Sequence, residues 1–440
     1  TTLDVGFNGI GDEGVKAIVG YISKAQSLKI LYLSGNAITY DGFACLGGAL
    51  GGEVCSLEEL HLSANFGGTC GARALAQNLP NNNTLRILTV ASAGFGENGC
   101  RLFFSALAGN TSLRTLNISS NGSGDSGAFS LSMALSPGMC ALTEIDLSFN
   151  SLSSGGLEAL VCTLPGYGGL TSLELNKNEI GDSGARTLAS YLAKHSKLKK
   201  LGLGFNSIHS EGIIAITRAL TPNVTLEALT LSGNPMKLDA IRYLGEMLCH
   251  DRSLLHLGLD NVLFHTSDSG ERVLASAIAS NRVLRLKTLT GFNLSAALIQ
   301  LGSPEEMAGL SNESALRRLQ DMWTAHNENI PSSCPEDRIH ERESSRAGND
   351  LKFQAGHHSE DSDGATDKSE NSDDAPLNSD YMAARLSRLS VNESEEGGSP
   401  SSGTKTAREC GRLLSEEVTE AVKSASKGAK SRGSLPPPPL

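Results

Sequence analysis

Leucine and other apolar residues recur in the phrase Leu-x-x-Leu-x-Leu-x-x-Asn throughout the first 300 residues. Its first apolar position falls at Leu28, Leu57, Leu85, Leu113, Leu142, Leu170, Leu198, Leu226 and Leu254, each 28 or 29 residues after the last. Thr1 to Ile22 carries the remainder of an earlier unit, with Leu3, Val5 and Asn8 in the matching places, and Leu284 to Leu289 is a degenerate last one. A fixed period of this size means stacked repeats. No unit buries its own apolar face, but neighbours laid side by side share one core.

Two periods alternate inside each unit. In Leu170-Thr171-Ser172-Leu173-Glu174-Leu175 the last two leucines alternate with polar residues, which predicts a short strand with one buried side. An asparagine follows, at Asn36, Asn65, Asn121, Asn150, Asn178, Asn206 and Asn234. Turned inward, its amide is expected to satisfy backbone groups of its own and the adjacent loop, each worth about 1–3 kcal/mol if left buried and unpaired. Ala93 and Val262 take that place in two units, where weaker local order is expected. Glycine then stands at a fixed offset (Gly14, Gly42, Gly71, Gly99, Gly127, Gly156, Gly184, Gly212), as tight backbone packing at a helix entrance requires. Asp12, Asp41, Asp125 and Asp182 lie just before it and read as caps of the helices they precede. Apolar residues at i, i+3 and i+7, such as Leu157, Leu160 and Leu164, or Ile213, Ile216 and Leu220, predict the helix. The unit is therefore strand, loop, helix, repeated about ten times over residues 1–300 with the first copy truncated.

Beyond the repeats, Ser303-Pro304-Glu305-Glu306 reads as a helix start, with serine as cap and proline in the first turn. Leu316, Leu319, Met322 and Trp323 follow at helical spacing, so residues 301–330 are expected to be a helix that covers the end of the stack, with Trp323, the only tryptophan, in the seal. Residues 331–440 lack the repeat. They read as an acidic, Ser-rich disordered tail, too poor in apolar side chains to offset chain entropy. Within it stand a basophilic kinase-like phrase from Arg385 to Ser390, a helical apolar stripe over 408–423 (Cys410, Leu413, Leu414, Val418, Ala421, Val422), and Pro436 to Pro439.

Charge sharpens this division. Of the net −11, residues 303–440 carry 25 Asp/Glu against 16 Lys/Arg, and the remainder 23 against 21. A near-neutral body with an acidic tail lacks the basic surface that nucleic acid demands. Nine cysteines, an odd count with no Cys-x-x-Cys pair, point to free thiols in a reducing, cytoplasmic compartment. No apolar stretch is long enough to span a membrane, and no signal peptide is visible. Glycosylation sequons such as those at Asn110 and Asn223 read as chance in an Asn- and Ser-rich chain. The chain opens on Thr1 inside the pattern, which points to a fragment or a processed product.

The phrase Asn178-Glu179-Ile180-Gly181-Asp182-Ser183-Gly184-Ala185-Arg186-Thr187-Leu188 and its equivalents resemble the ribonuclease-inhibitor-like class of leucine-rich repeats, which includes ribonuclease inhibitor, the sensor region of NOD-like receptors and the Ran GTPase-activating protein. The resemblance implies an α/β fold: a right-handed horseshoe solenoid with parallel strands on the concave side and helices on the convex side. It implies a protein partner rather than a single chemistry. Three functions stay open: an interaction scaffold, a GTPase activator of the Ran activator type, and the ligand-sensing fragment of a NOD-like receptor.

Chemistry-bearing motifs are missing from the sequence. There is no phosphate loop, no His-Glu-x-x-His, and no Cys/His cluster at metal spacing. No cofactor, metal or catalytic residue is assigned, and the chain is not read as an enzyme. His61, His256 and His265 are scattered and read as surface imidazoles. Binding is expected on the concave face. Strand alternation turns Tyr32, His61, Thr89, Asn117, Asp146, Glu174, Gly202, Thr230 and Gly258 outward along its middle. Most of this face is small and polar. The exception crosses three adjacent repeats: Glu144, Asp146 and Phe149; Glu174 and Lys177; Lys199, Lys200 and Phe205. Aromatic residues ringed by charge are a hot-spot composition, so this patch is the candidate partner site of what is expected to be a monomer.

Overall fold

Each leucine phrase forms a strand of only two or three residues, because the loop that follows must at once turn the chain toward its helix. The strands are β1 (Thr2–Asp4), β2 (Ile30–Tyr32), β3 (Glu59–His61), β4 (Ile87–Thr89), β5 (Thr115–Asn117), β6 (Glu144–Asp146), β7 (Ser172–Glu174), β8 (Lys200–Gly202), β9 (Ala228–Thr230), β10 (His256–Gly258) and β11 (Thr288–Leu289). They form one parallel sheet in chain order, each strand beside the next. The helices between them are α1 (Gly11–Ile22), α2 (Tyr40–Leu50), α3 (Gly68–Asn78), α4 (Gly96–Leu107), α5 (Gly124–Ala134), α6 (Ser154–Tyr167), α7 (Gly181–His195), α8 (Ser210–Leu220), α9 (Leu238–His250), α10 (Ser269–Ser280) and α11 (Leu294–Gln300), followed by α12 (Asn312–Glu328). This computed structural model describes residues 2–22, 27–52, 55–195, 197–262, 269–301, 303 and 305–328. They belong to one unit, Thr1–Pro331; a second unit spans Ser332–Leu440. The expectations for the tail, including the stripe at 408–423, lie outside the described residues, as does His265.

Register follows the leucines. Leu31, Leu60, Leu88, Leu116, Ile145, Leu173, Leu201, Leu229 and Leu257 align across the sheet, and all are buried. Each such side chain contributes about 1.5–3 kcal/mol on burial. The helices close the core from the other side, and the whole is one hydrophobic cluster. Strands stand about 4.8 Å apart whereas helices are about 10 Å wide, so the stack bends with its sheet on the inside.

The asparagines form a ladder from Asn36 to Asn234 that is interrupted at Ala93, which has no side-chain amide. Asn65 Oδ1 accepts from the N–H groups of Asn36 and Ile38 in the preceding repeat, at 2.9 and 3.1 Å. Its Nδ2 donates to Leu62 O and, across the repeat boundary, to Leu33 O. Asn121, Asn150, Asn178, Asn206 and Asn234 do the same for their neighbours, and Asn36 spans back to Val5 O. Ala93 and Phe95 are fully buried, and their N–H groups both reach Asn121 Oδ1. Residues 263–268, just after Val262, are outside the described set.

A second set of polar rungs, which the leucine phrase alone does not announce, stands where α3, α4, α8, α9 and α10 return to the next strand. Asn82, Asn110, Asn223, Asp251 and Asn281 stand three residues ahead of Leu85, Leu113, Leu226, Leu254 and Leu284. Asn110 Oδ1 accepts from Leu113 N, while its Nδ2 donates to Leu79 O and Asn82 O of the preceding repeat. Asn110 is 1% exposed, so its sequon is occupied by structure. Asn223 Oδ1 likewise accepts from Leu226 N.

Two expectations are corrected. Asp12, Asp125 and Asp182 do not cap the helices they begin; each reaches into the next repeat. Asp12 Oδ1 accepts from Thr39 N and Gly42 N, Asp125 Oδ1 from Ser153 N, and Asp182 Oδ1 from His209 N and Gly212 N. Burial alone would raise the Asp12 carboxyl, but the hydrogen bonds from Thr39 and Gly42 outweigh it and hold it below 3.8. The last helix, α12, begins at Asn312 and not at Ser303; Glu305–Met307 is a single 3-10 turn. Ser311 opens the helix instead, its carbonyl accepting from Ala315 N and its hydroxyl from Ser314 N. From α12, Asn312 Nδ2 donates to Leu289 O and Phe292 O, and Gln320 Nε2 donates to Leu286 O, satisfying carbonyls beside the last strand. Leu316 and Leu319 are buried there, and Trp323 packs partly buried against the core.

Candidate partner-binding face

The residue before each ladder asparagine takes a left-handed backbone. Phe7, Gly35, Ala64, Ser92, Ser120, Phe149, Lys177, Phe205, Gly233 and Asn261 (the last before Val262) all have φ between 53° and 69°. The turn out of the strand requires it, whatever side chain is present. Glycine adopts this conformation freely, and other residues at a cost of about 1–2 kcal/mol. Three consecutive repeats nevertheless place Phe149, Lys177 and Phe205 here.

These three residues form one column along the sheet edge. Lys177 Nζ lies 4.3 Å from the Phe149 ring centroid and 5.3 Å from that of Phe205. The rings remain 50% and 42% exposed. Backbone bonds fix the column: Phe149 N donates to Asn176 O, Lys177 N to Gly204 O, and Phe205 N to Ser232 O, at 2.9, 2.7 and 2.7 Å. Gly233 takes the corresponding position in the next repeat, and the Phe205 ring covers it; a methyl group there would overlap the ring.

The charged members of the patch behave differently from one another. Register sets Glu144, Ser172 and Lys200 in one row, and Asp146, Glu174 and Gly202 in the next. Glu174 is not a free anion. Its side chain is only 17% exposed, with Oε1 3.0 Å from Lys200 Nζ and Oε2 accepting from Asn176 Nδ2 at 2.7 Å. The carboxylate lies across β8 above Gly202, where any β-carbon would overlap Oε2. Lys199 stands one residue outside β8 and pairs with Glu227 at 2.9 Å, away from the aromatic column. Asp146 Oδ1 accepts from Ser148 N, and Glu144 Oε2 accepts from Thr115 Oγ1 at 3.4 Å. The structure thus brings Phe149, Lys177 and Phe205 together, ties Glu174 to Lys200, and separates Lys199.

A second cluster on the same face was not singled out from the sequence. His61 is no freely solvated imidazole: it stacks on Tyr32 with centroids 4.4 Å apart and planes 9° apart, and its side chain is 18% exposed. Its Nδ1 is 3.1 Å from Thr89 Oγ1 and its Nε2 3.6 Å from Glu59 Oε2. The signal available was the register itself, which puts Tyr32, His61 and Thr89 side by side.

Among the described residues, no helix is long and apolar enough to cross a membrane. A family profile described as Leucine Rich repeat matches residues 1–19, 24–47, 109–132, 139–161, 170–189 and 194–216. No curated protein matches the chain. Among solved structures, the chain is similar to the leucine-rich repeat-containing protein LegL7 from Legionella pneumophila, at 18% identity over 66% of this chain and 92% of that one, with a TM-score of 0.40. It is also similar to Leiomodin-1 Actin-Binding Site 2, at 17% identity over 43% and 95% of the two chains, with a TM-score of 0.30.

Proposed function

We propose that this chain, matched by the Leucine Rich repeat profile in six segments between residues 1 and 216, is a protein-interaction scaffold whose sheet face recognises a partner protein at Phe149, Lys177 and Phe205. One observation carries the reading. Where glycine would relax the backbone, as Gly35 and Gly233 do, three successive repeats hold large side chains in left-handed conformation and leave both rings half in solvent. Half-exposed aromatic rings flanking a cation have the composition of a binding hot spot. The sheet register fixes the backbone of all three residues, so no backbone ordering remains to be lost there on binding. Glu174, Lys200 and Gly202 hold the strand surface beside the column rather than reach for the partner.

The seven described cysteines are all unpaired, which fits a reducing, cytoplasmic setting and a cytosolic partner. Affinity purification with quantitative mass spectrometry tests the proposal. Wild-type chain and a Phe149→Ala/Phe205→Ala variant of equal helical content are used as baits. Partners recovered by the wild type and depleted from the variant support the patch. An identical set of proteins from both baits refutes it.

A further inference from the structure

We infer that the partner meets Lys177 with a carboxylate, an Asp or Glu side chain flanked by apolar residues, so that the site reads an acidic–apolar segment of a protein. The inference rests on Phe149, Lys177 and Phe205 being the contact column.

Among the described residues, the two neighbouring lysines are neutralised within the fold: Lys200 by Glu174 at 3.0 Å and Lys199 by Glu227 at 2.9 Å. Lys177 has no carboxylate within ion-pair distance among those residues. What it has is the two rings at 4.3 and 5.3 Å. Ring faces attract a cation but accept no strong hydrogen bond, so the three ammonium N–H groups depend on water. A partner that covers the rings also strips that water. A buried cation left without a hydrogen-bonded counter-charge is costly, and a carboxylate from the partner removes the cost. The slot on either side of the ammonium is aromatic, so the residues flanking that carboxylate contact ring surface and are apolar.

The opposite polarity is disfavoured by geometry. Asp146 already accepts a hydrogen bond from Ser148 N, and Glu144 leans on Thr115 in the adjacent repeat, in rows apart from the aromatic column. A cation brought by the partner would meet Lys177 as a like charge.

Selection from a random 12-residue peptide library displayed on phage, with the full chain immobilised, tests this. Four baits are used: wild type, Lys177→Met, Lys177→Glu and Phe149→Ala/Phe205→Ala, each checked for native circular dichroism. Wild type is expected to enrich peptides with Asp or Glu beside Leu, Ile, Phe or Trp. Lys177→Met keeps the apolar preference and loses the acidic one, and Lys177→Glu turns the charged position to Lys or Arg. A synthetic peptide of the wild-type consensus is expected to bind Lys177→Met about tenfold more weakly or worse, the loss of one charge-assisted contact. Apolar peptides lost with Phe149→Ala/Phe205→Ala but with the same charge preference in wild type and Lys177→Met overturn the carboxylate and spare the column. Selection of Lys or Arg by the wild type also overturns it, moving the contact to Glu144 and Asp146. Enrichment indifferent to all three substitutions, or none by the wild type, overturns both this inference and the site it rests on.

Discussion

Asp182 in one repeat holds Gly212 in the next: its Oδ1 accepts from Gly212 N at 2.9 Å and from His209 N at 2.8 Å, and a methyl group at Gly212 would stand 2.6 Å from that same oxygen. One carboxylate thus caps the start of α8 from outside its own unit, and the glycine leaves room for it. Asp182→Ala is expected to destabilise by about 1 kcal/mol, the usual loss of a helix cap. Gly212→Ala is expected to cost about 1–3 kcal/mol through overpacking against Asp182, Ile208 and Ala185. Because the two residues touch, the double variant should lose less than the sum of the single losses. Urea unfolding of the four proteins measures this, and strict additivity would show that the two residues are not coupled.

Asp251 occupies a rung of the second set where Asn82, Asn110, Asn223 and Asn281 stand elsewhere. Burial pushes its carboxyl above 3.8, against hydrogen bonds from Leu254 N, Ser253 N and the Ser253 hydroxyl that pull the other way. A raised value in the fold means that the folded state favours the neutral acid. That contribution is whole below pH 3.8 and is lost as pH rises through the raised value. Asp251→Asn removes the ionisation, so the variant should unfold at a higher temperature than wild type at pH 7. The difference should shrink as pH falls below 3.8. Scanning calorimetry across pH decides the point: a gap of constant size, or a less stable variant at pH 7, contradicts it.

Ser123 sits fully buried in the row that holds Ile38, Phe95, Leu152, Ile180 and Ile208 in other repeats, and its hydroxyl has no hydrogen-bond partner among the described residues. An orphaned buried hydroxyl costs about 1–3 kcal/mol. Ser123→Ala is therefore expected to raise stability by about 1 kcal/mol, readable as a higher urea midpoint at unchanged slope. A lower midpoint would mean that the hydroxyl is satisfied.

How much of this was legible in the sequence depends on the distance over which each residue acts. The leucine period placed the strands, because a two-residue alternation has one buried face and neighbouring repeats must align their leucines. The reach of Asp182 to Gly212 was hidden: a one-dimensional reading assigns an acid to the helix it precedes, whereas the stack puts the next helix start within reach. The second set of rungs left a trace, Asn or Asp three residues before a leucine, but the helix-to-strand loops vary enough in sequence to blur it. The candidate patch was placed by register, yet Lys199 and Lys200 are adjacent in sequence and choose different partners, Glu227 and Glu174. Only side-chain geometry separates them, and only it shows that Lys177 lies between two rings.

Strain and function should separate at Phe149 and Phe205. Both hold left-handed backbone, so Phe149→Gly and Phe205→Gly relieve about 1–2 kcal/mol of strain. Against that stand the lost half-buried ring and the greater freedom of glycine in the unfolded chain. Thermal midpoints at or slightly above wild type are expected, with partner capture lost. A drop of several kcal/mol in either variant would assign the rings a packing role instead.

The most direct measurement places a photocrosslinker on each face. Phe149→benzoylphenylalanine is compared with Arg186→benzoylphenylalanine, the latter an exposed position on α7. After irradiation in cell extract, the expected result is a discrete higher-mass adduct from position 149 that Lys177→Glu abolishes, and none from position 186. Adducts from position 186 alone, or none from position 149, would contradict recognition on the sheet face, whereas adducts from 149 that survive Lys177→Glu would contradict only the carboxylate at Lys177.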